Sequence, residues 1–393
     1  MFIQSDLLKK LDYPLLASVL LLVALGLVLI YSATKPADIS LLTGEAGQYT
    51  YTYDEVKKQL VWIFLGVAAI ITMVMYLYHE DLMKHTDLLY AINLVMLAAV
   101  IFLGTEELGA QRRVSIGGFL FQPSEFAKLF IIICFAAFLV KRKNNLNTIM
   151  DLLPCFAYVA VPVLLILIQP DLGTALVFFA VMFGMLYAAG ANYKLLLTIG
   201  TTALSSICIW IWAHFWMAAN RGIDLWIPLT DYQLKRLTIF LDPWQDPLHH
   251  GYNIIQSQIA IGQGGLLGKG LFQGSQTHGD FLPIQESDFI FAVIGEELGF
   301  IGAVILLALY AVVIYRGVLI TINAKDDYGA LLAVGVVSMI AFHVFVNVGM
   351  TCGIMPVTGI PLPMVSYGGS SMLTNLIAIG LLLSINIRRR RMF

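Results

Sequence analysis

One stretch of the chain, residues 281–299, places carboxylates at the start of an otherwise apolar segment and then inside it. Asp288 stands near its start, and Glu296 and Glu297 follow about two helical turns later. Ionisable groups are costly at membrane depth, so they normally face a water-filled cavity or a partner and mark a functional site. Four cations precede them in the chain: Arg221, Lys235, Arg236 and Lys269. A carboxylate beside cations suits a reaction in which an anionic phosphate leaves while a hydroxyl group loses its proton.

Asp288 also has a simpler interpretation, as the N-cap of a helix that begins after Pro283. A helix N-terminus stabilises the charged carboxylate. That effect suits an electrostatic role or a metal ligand, but it weakens a general base, whose pKa should approach neutrality. The sequence leaves both interpretations open.

The composition is too apolar for a water-soluble protein. The chain has 393 residues, a mean hydropathy of +0.83, 59% hydrophobic residues and 12% charged residues. A soluble domain carries about twice that charge, so the composition indicates a polytopic membrane protein. The net charge of −2 does not point to nucleic acid, because in a membrane protein the positions of Lys and Arg are informative rather than their sum. We expect no nucleic-acid partner.

The cysteines and the N-terminus add two expectations. Lys9 and Lys10 precede an apolar run that is too long for the core of a cleavable signal peptide, so we expect the first helix to remain as an anchor. The cysteines stand singly in apolar segments without the spacing of a metal site, and we interpret them as buried packing residues. They are Cys134, Cys155, Cys208 and Cys352.

The apolar runs predict an all-α fold. Ten of them are long enough to cross about 30 Å of hydrocarbon, and we predict a single transmembrane domain over residues 1–393 with a large loop, 220–287, between helices seven and eight. In that loop we expect short helices that lie against the membrane and cover a cavity. The predicted spans are 14–34, 59–78, 87–104, 125–140, 152–169, 171–190, 193–219, 288–315, 329–352 and 367–387.

The distribution of basic residues predicts the orientation. An even number of spans puts both termini on one side, and the positive-inside rule makes that side cytoplasmic. The connections assigned to it carry Lys9, Lys10, Arg316 and the run 388–391, all basic. The opposite face then receives residues 105–124, the turn at 169–171, the large loop and residues 353–367.

Two polar groupings outside the first stretch allow more than one interpretation. Glu125 and Lys128 lie three residues apart at the start of the fourth span, so they project on one helix face. They are either a local ion pair at a capped helix start or a polar pair that lines a cavity. Asp171, between two spans, is either an N-cap or a substrate contact.

Glycine-rich segments raise further alternatives. The run 262–270 lacks the first glycine and the final Ser/Thr of a phosphate-binding loop, because Gln263 and Gly270 stand at those positions, so we reject that motif. Either it is a turn cluster, or its amides and Lys269 face a phosphorylated lipid. The segment 359–371, with two prolines and paired glycines, either packs the last helix or points amides and hydroxyls into a cavity.

Several motifs occur in order over about residues 100–385. They are Gly109-Ala110-Gln111-Arg112, Gln122-Pro123-Ser124-Glu125-Phe126-Ala127-Lys128, Gln169-Pro170-Asp171-Leu172-Gly173-Thr174, Gly251-Tyr252-Asn253 with Gln256-Ser257, Asp288-Phe289-Ile290-Phe291-Ala292-Val293, and Pro361-Leu362-Pro363 with Ser366-Tyr367-Gly368-Gly369-Ser370. Together they resemble one family, the SEDS proteins, which include RodA, FtsW and SpoVE. Within the family, Ile259-Ala260-Ile261-Gly262 and Gly268-Lys269-Gly270-Leu271-Phe272-Gln273-Gly274-Ser275-Gln276 look more like RodA, the elongation member, than FtsW, the division member.

The resemblance implies a peptidoglycan glycosyltransferase of the bacterial inner membrane. It would polymerise lipid II during cell elongation, release undecaprenyl pyrophosphate, and work with a class B penicillin-binding protein, a transpeptidase, and with other membrane proteins of the elongation complex. The essential aspartate of the family falls on Asp288, which we expect to act as general base. Substrate contacts are expected at Arg112, Glu125, Lys128, Gln233, Arg236, Lys269, Ser366 and Tyr367.

The leaving diphosphate is expected to be held by Arg112, Lys128 and Arg236, with Lys269 or a divalent cation, magnesium or manganese, as further candidates. No cofactor is certain, and the sequence leaves metal binding undecided. Two alternative functions remain: a lipid II flippase, for which Glu125, Lys128 and the two glutamates at 296–297 would serve translocation, and a non-enzymatic scaffold.

The chain departs from the family pattern at four positions. Arg113 replaces a tryptophan, Ile284 replaces a glutamate, Ser287 replaces a threonine, and Leu120 stands where some members have an arginine. Ile284 removes a carboxylate close to Asp288, which leaves Asp288 as the main candidate for the base.

Overall fold

The structure is a computed structural model that describes residues 10–34, 54–107, 110–116, 119–143, 145–222, 226, 231–249, 251–279 and 281–389. Within these residues the fold is an all-α polytopic bundle with one small sheet. The elements in chain order are α1 (Tyr13–Ala33), α2 (Asp54–Tyr76), α3 (His79–Lys84), α4 (Thr86–Leu103), β1 (Thr105–Glu107), β2 (Ala110–Ile116), β3 (Phe119–Phe121), α5 (Pro123–Val140), α6 (Ile149–Ile168), α7 (Leu172–Ala188), α8 (Tyr193–Arg221), α9 (Asp231–Leu241), a 3₁₀ turn (Pro243–Gln245), α10 (Tyr252–Gly264), α11 (Ser275–His278), α12 (Ile290–Glu297), α13 (Gly299–Ile322), α14 (Asp327–Thr351) and α15 (Gly369–Ile387).

The predicted all-α membrane fold is confirmed. Among the described residues, nine helices are long and apolar enough to cross a membrane, and α7, with 17 residues, is a tenth apolar helix. Each predicted span coincides with one of these helices within a few residues at its ends, except the eighth. The predicted residues Lys9 and 390–391 lie outside the described part of the chain.

The predicted span 288–315 is wrong, because the chain breaks there into two helices. The short helix α12 ends at Glu297, and α13 begins at Gly299, whose φ of +65° is accessible to glycine at little cost. Since α13 alone has 24 residues, it is long enough to span the membrane. Glu296 and Glu297 therefore do not lie two turns deeper in a spanning helix.

The glycine-rich run fills this helix break. The amides of Lys269 and Gly270 donate to the carbonyls of Glu296 and Glu297, at 2.9 and 3.0 Å. In return, Gly265 O accepts the amide of Phe300 at 2.9 Å, and the next carbonyl accepts the next amide of α13. The run thus satisfies backbone groups that the break would leave unpaired. We define this arrangement, residues 264–270 joined to 296–301, as the helix-break joint.

Three helices form the centre of the bundle. α5, α14 and α15 are buried along most of their apolar length, whereas α2 and α8 expose most of theirs. α15 packs along α2, and α14 packs against α5, α7 and α13. The central helices are therefore held on several sides by protein, and they carry the polar residues described below.

Residues between α4 and α5 form a small antiparallel sheet in the order β1-β2-β3. These strands were not predicted from the sequence. In the large loop the expected short helices are present as α9, α10 and α11. The sheet and these loop helices lie at the same end of the bundle as Asp288, which we call the site end.

Candidate active site

A cavity of about 280 Å³ opens at the site end of the bundle. The first residues of α2, α5, α7 and α15, the last turns of α14, strand β2 and the loop before α12 all contribute to its wall. The polar and charged side chains of the lining are Lys58, Trp62, Arg112, Arg113, Gln122, Glu125, Lys128, Asp171, Thr174, Glu286, Ser287, Asp288, His343, Tyr367, Ser370 and Ser371. Five positively charged or basic residues thus share one cavity with four carboxylates.

Asp288 lies in the loop before α12, and it does not cap that helix. The N-cap of α12 is Phe289, which makes no side-chain capping bond. Asn347 of α14 fixes the loop, because its amide donates to the carbonyl of Asp288 at 2.9 Å and to that of Ile360 at 2.8 Å. The N-cap interpretation of Asp288 is therefore wrong, and its carboxylate is directed to the cavity instead.

The surroundings of Asp288 change its acidity. Burial raises the pKa of this carboxyl above its usual value, against the opposing influence of Arg112, Arg236 and Arg113 and of a hydrogen bond from Ser287. The concern that a helix N-terminus would weaken the base no longer applies, since the side chain does not cap. A raised pKa brings a carboxylate closer to what general-base chemistry needs.

The backbone beside Asp288 is strained at Ile284. This residue has a φ of +57°, which is unfavourable for a β-branched side chain, and it lines the cavity. Such strain persists only where the surroundings fix the conformation. Ile284 is also one of the four positions at which the chain departs from the family pattern.

Glu125 and Lys128 project on one face of α5, as predicted, and they form both an ion pair and part of the cavity wall. The Lys128 Nζ donates to Glu125 Oε1 at 2.8 Å, and it lies 2.9 Å from His343 Nε2 on α14. All three side chains are at most 4% exposed. Burial at this level is costly for charges unless they are paired, which explains the contact.

Asp171 caps a helix, as one of its two interpretations predicted, and a contact with substrate stays a prediction. It is the N-cap of α7, accepting the Thr174 amide at 3.1 Å and the Thr174 hydroxyl at 2.9 Å, and it lines the cavity. Its oxygens are largely occupied by the cap, so the capping interpretation accounts for its geometry.

Of the neighbouring residues Ser366 and Tyr367, only Tyr367 lines the cavity. The Ser366 hydroxyl donates to Ser287 O at 2.5 Å and accepts the Leu362 amide at 2.8 Å, so it holds the backbone next to Asp288 rather than lining the cavity. Tyr367 lines the cavity. The segment 359–371 therefore contributes both packing and cavity wall.

Arg236 and Gln233 belong to α9, which approaches the site from the loop. Arg236 donates to Val357 O at 3.0 Å, and its charge acts on Asp288 although it is not among the lining residues. Gln233 is buried at 6% exposure. Neither side chain is part of the cavity wall in the described structure.

Lys269 lies in a separate cluster. Its Nζ donates to Glu296 Oε1 at 2.8 Å and to Ser275 Oγ at 2.5 Å, and it is not among the cavity-lining residues. The expectation that Lys269 joins Asp288 at one site is therefore not met. The alternative in which the amides of residues 262–270 face a phosphorylated lipid is also unsupported, since those of 269 and 270 belong to the helix-break joint.

Glu296 is saturated with hydrogen bonds in this cluster. Besides Lys269, its oxygens accept the amides of Gln276 and Thr277, at 2.8 and 3.0 Å, and the Thr277 hydroxyl at 2.8 Å. Burial alone would raise the pKa of this carboxyl, but hydrogen bonds from Gln276, Lys269 and Thr277 lower it below its usual value. Glu296 is therefore a structural carboxylate that holds residues 269–277 onto α12.

Three lining residues, Lys58, Trp62 and His343, were not predicted from the sequence. Lys58 and Trp62 are four residues apart on α2, so they share a helix face, and Gln59 beside them binds the last loop through Ser366 O and the Gly368 amide, both at 3.3 Å. The spacing was visible in the sequence. Nothing in the sequence related this face to Asp288, because that requires the packing of α2 on α15.

A metal site is not preformed around Asp288. Among the described residues, the one group of three metal-ligating side chains within 4.8 Å of one another is His79, Glu80 and Asp326, at the opposite end of the bundle. There Glu80 already pairs with Lys325, and Asp326 caps α14. No such group lies in the cavity among the described residues, and metal binding beside Asp288 stays a prediction.

The chain is similar in sequence to known proteins over nearly its whole length. The family model FTSW_RODA_SPOVE, described as "Cell cycle protein", matches residues 13–391. Stage V sporulation protein E of Bacillus subtilis is 37% identical over 382 residues, covering 95% of this chain and 96% of that protein. Peptidoglycan glycosyltransferase RodA of Treponema pallidum is 35% identical over 439 residues, covering 96% and 98%.

A solved structure extends the similarity to the fold. It is described as "Structural coordination of polymerization and crosslinking by a peptidoglycan synthase complex", and one of its chains superposes with a TM-score of 0.77 at 30% identity, covering 97% of this chain and 99% of that one. The whole bundle, rather than one motif, is shared.

Proposed function

The chain belongs to the SEDS family, whose model covers the cell cycle proteins FtsW, RodA and SpoVE, and on this basis we propose that it is a peptidoglycan glycosyltransferase that polymerises lipid II. Relatives across nearly its full length carry the name peptidoglycan glycosyltransferase. The observation that carries the proposal is a partly buried carboxylate, Asp288, that lines one cavity with Arg112 and Arg113 and whose pKa is raised by its surroundings.

In the proposed reaction, Asp288 accepts the proton of the GlcNAc 4-hydroxyl of one lipid II molecule. The oxygen forms a bond to the anomeric carbon of the second substrate as that carbon's bond to the phosphate oxygen breaks. Undecaprenyl pyrophosphate leaves with the bonding electrons. One displacement inverts the anomeric carbon, as for a general base that acts without a covalent intermediate.

The leaving diphosphate gains charge as the bond breaks, so it needs fixed cations. Arg112 and Arg113 line the same cavity as Asp288, and guanidinium groups bind phosphate oxygens in a two-point geometry. These arginines are our candidates for that role. A divalent cation is the competing candidate: Asp288 would be among the residues that hold it, and it would supply the same stabilisation of charge.

The distribution of charge supports an extracytoplasmic site. The end of the bundle opposite the cavity carries exposed or half-exposed cations, among them Lys84, Lys143, Lys325, Arg316 and Arg388. The positive-inside rule assigns that end to the cytoplasm, with both termini on that side in the bacterial inner membrane. The site end then faces the compartment in which glycan strands are built.

The position of the cavity favours a transferase over a flippase. A flippase needs polar side chains along the whole translocation path, whereas the described cavity gathers its charged groups at the site end. The non-enzymatic scaffold is the remaining alternative, and it predicts that the cavity residues are dispensable.

A partner transpeptidase fits the same proposal. The structural neighbour with a TM-score of 0.77 belongs to a complex that coordinates polymerization and crosslinking. We expect this chain to act beside a class B penicillin-binding protein, with other membrane proteins of the elongation complex around it. The RodA-like motifs support elongation rather than division.

The test is polymerisation of lipid II by the purified full-length chain in detergent, where membrane sidedness does not exist. Wild type is expected to form glycan polymer, and Asp288→Ala is expected to lose about 10²–10⁴-fold in rate. A wild-type rate in Asp288→Ala would refute the assignment of the base. EDTA and added magnesium or manganese, applied to wild type, test the divalent cation.

A further inference from the structure

The deep end of the cavity is a charge-neutral cluster of three buried side chains. Lys128 Nζ lies between Glu125 Oε1, at 2.8 Å, and His343 Nε2, at 2.9 Å. The ammonium and the carboxylate cancel one another's charge within one helical turn of α5. Arg112 and Arg113, in contrast, stand on β2 and act on Asp288, so the two ends of the cavity differ electrostatically.

The contact of His343 Nδ1 determines whether Nε2 donates or accepts a hydrogen bond. Nδ1 lies 2.7 Å from the carbonyl oxygen of Met339, an acceptor only, so Nδ1 carries the proton and donates. In the neutral ring Nε2 is then an acceptor, which matches the donor it faces on Lys128. A doubly protonated ring would set an N–H against an ammonium group. The geometry therefore assigns a neutral His343 that accepts from Lys128.

These contacts leave one donor on Lys128 and one acceptor on Glu125 without a partner among the described residues. An ammonium group has three N–H donors, and Lys128 uses two of them on Glu125 and His343. Glu125 Oε2 has no hydrogen-bond partner among the described residues, although the side chain is 4% exposed. An unpaired buried carboxylate oxygen is costly, and both residues line the cavity. A ligand group that donates to Oε2 and accepts from Nζ would satisfy both.

We propose that Glu125 and Lys128, positioned by His343, form a two-point site for an uncharged hydroxyl or amide group of the substrate, and not a ligand for its diphosphate. A lysine already neutralised by a buried carboxylate attracts a phosphate weakly, whereas a hydroxyl or an acetamido group offers the matching donor and acceptor. His343 acts through Lys128 as a positioning residue. The inference rests on the proposed function for the identity of the substrate, and it revises the expectation that Lys128 holds the leaving group.

The test separates substrate recognition from phosphate binding. The purified full-length chain and its variants Lys128→Met, His343→Leu, His343→Gln and Arg112→Ala are assayed for kcat and KM on lipid II. Each is also titrated with inorganic pyrophosphate, as an inhibitor of polymerisation and as a ligand in thermal unfolding. The unfolding temperature of each variant without ligand, compared with that of wild type, controls for damaged folding.

Lys128→Met and His343→Leu are expected to lower kcat/KM by about tenfold or more, the effect of one hydrogen bond to a charged group, with pyrophosphate affinity within about twofold of wild type. His343→Gln keeps an acceptor and should therefore recover most of the loss in kcat/KM. If His343 only filled space, an acceptor at this position would make no difference. Arg112→Ala should weaken pyrophosphate binding.

Two results would overturn the proposal: a loss of pyrophosphate affinity in Lys128→Met as large as in Arg112→Ala, or wild-type kinetics in His343→Leu. If wild type forms no polymer, the proposed function fails. The pyrophosphate titrations then still decide whether Lys128 binds phosphate.

Discussion

Glu296→Gln should destabilise the protein more than the loss of an ordinary surface ion pair. Glu296 is 0% exposed, and its two oxygens accept from Lys269, Gln276 and Thr277 at 2.8–3.0 Å. Glutamine keeps the size of the side chain but replaces one acceptor oxygen with a donor, so at least one buried donor loses its acceptor. The Lys269 ammonium loses its counter-charge at the same time. The Lys269 side chain is 27% exposed and can be partly solvated, so the cost should lie at the lower end of the range for breaking a buried pair, about 3 kcal/mol.

The control is an ion pair of similar length in a different environment. Lys143 and Asp327 approach to 2.6 Å, but their side chains are 44% and 55% exposed. Asp327→Asn should cost only about 0.2–1 kcal/mol. The free energy of unfolding of both variants can be measured by SDS titration in mixed micelles. The reasoning is refuted if Glu296→Gln costs no more than Asp327→Asn.

The pH dependence of stability provides an independent check on Glu296. Its pKa is lowered from 4.5 in the folded state, because hydrogen bonds outweigh the effect of burial. A carboxyl with a lowered folded pKa contributes stability that is fully present above its unfolded pKa and is lost as pH falls through the folded value. Glu296→Gln should lack this acid-dependent component. An unchanged slope of stability against pH below about 4.5 would contradict the assignment.

Three further outcomes are expected. First, burial raises the pKa of Asp288 above 3.8, and the base must be deprotonated to act. The decrease of kcat/KM on acidification should therefore begin at a higher pH than for a solvated aspartate. A decrease that begins only at or below pH 3.8 would contradict this. Second, Lys58→Met should raise KM for lipid II by about tenfold, while Lys57→Met, next to it but outside the cavity lining, should not; equal effects would remove Lys58 from the site. Third, Gly268→Ala should destabilise by at least about 1–2 kcal/mol, because φ is +77° and the new Cβ would lie 2.1 Å from a carbonyl oxygen. Gly262→Ala, which meets no atom within 4 Å, should not destabilise the protein in the same unfolding assay.

Most of the bundle could be predicted from the sequence, because length and hydropathy are local properties. The ends of α1, α5 and α14 fall within a few residues of their predicted positions. The eighth span could not be predicted correctly, since residues 290–315 are apolar on both sides of the break apart from Glu296 and Glu297. What decides the break is a contact with residues 264–270, which are distant in sequence.

The candidate site was predicted in part. Spacing alone put Glu125 and Lys128 on one face, and the family resemblance selected Asp288 and Arg112. Lys269 was assigned to the same site because charge and sequence proximity suggested it, but its partner is Glu296. A sequence shows that a cation must have a counter-charge in an apolar environment, and it does not show which carboxylate provides it.

The amino-acid sequence by itself determined that this protein crosses a membrane many times, which family it belongs to, and which carboxylate is the candidate base. Those properties follow from hydropathy over windows of about twenty residues and from motifs contiguous in the chain. Only the tertiary structure decided that Asp288 is held by Asn347 rather than capping a helix, and that Lys58, Trp62 and His343 share its cavity. The physical reason is that these contacts join helices far apart in sequence, and their geometry depends on how the helices pack.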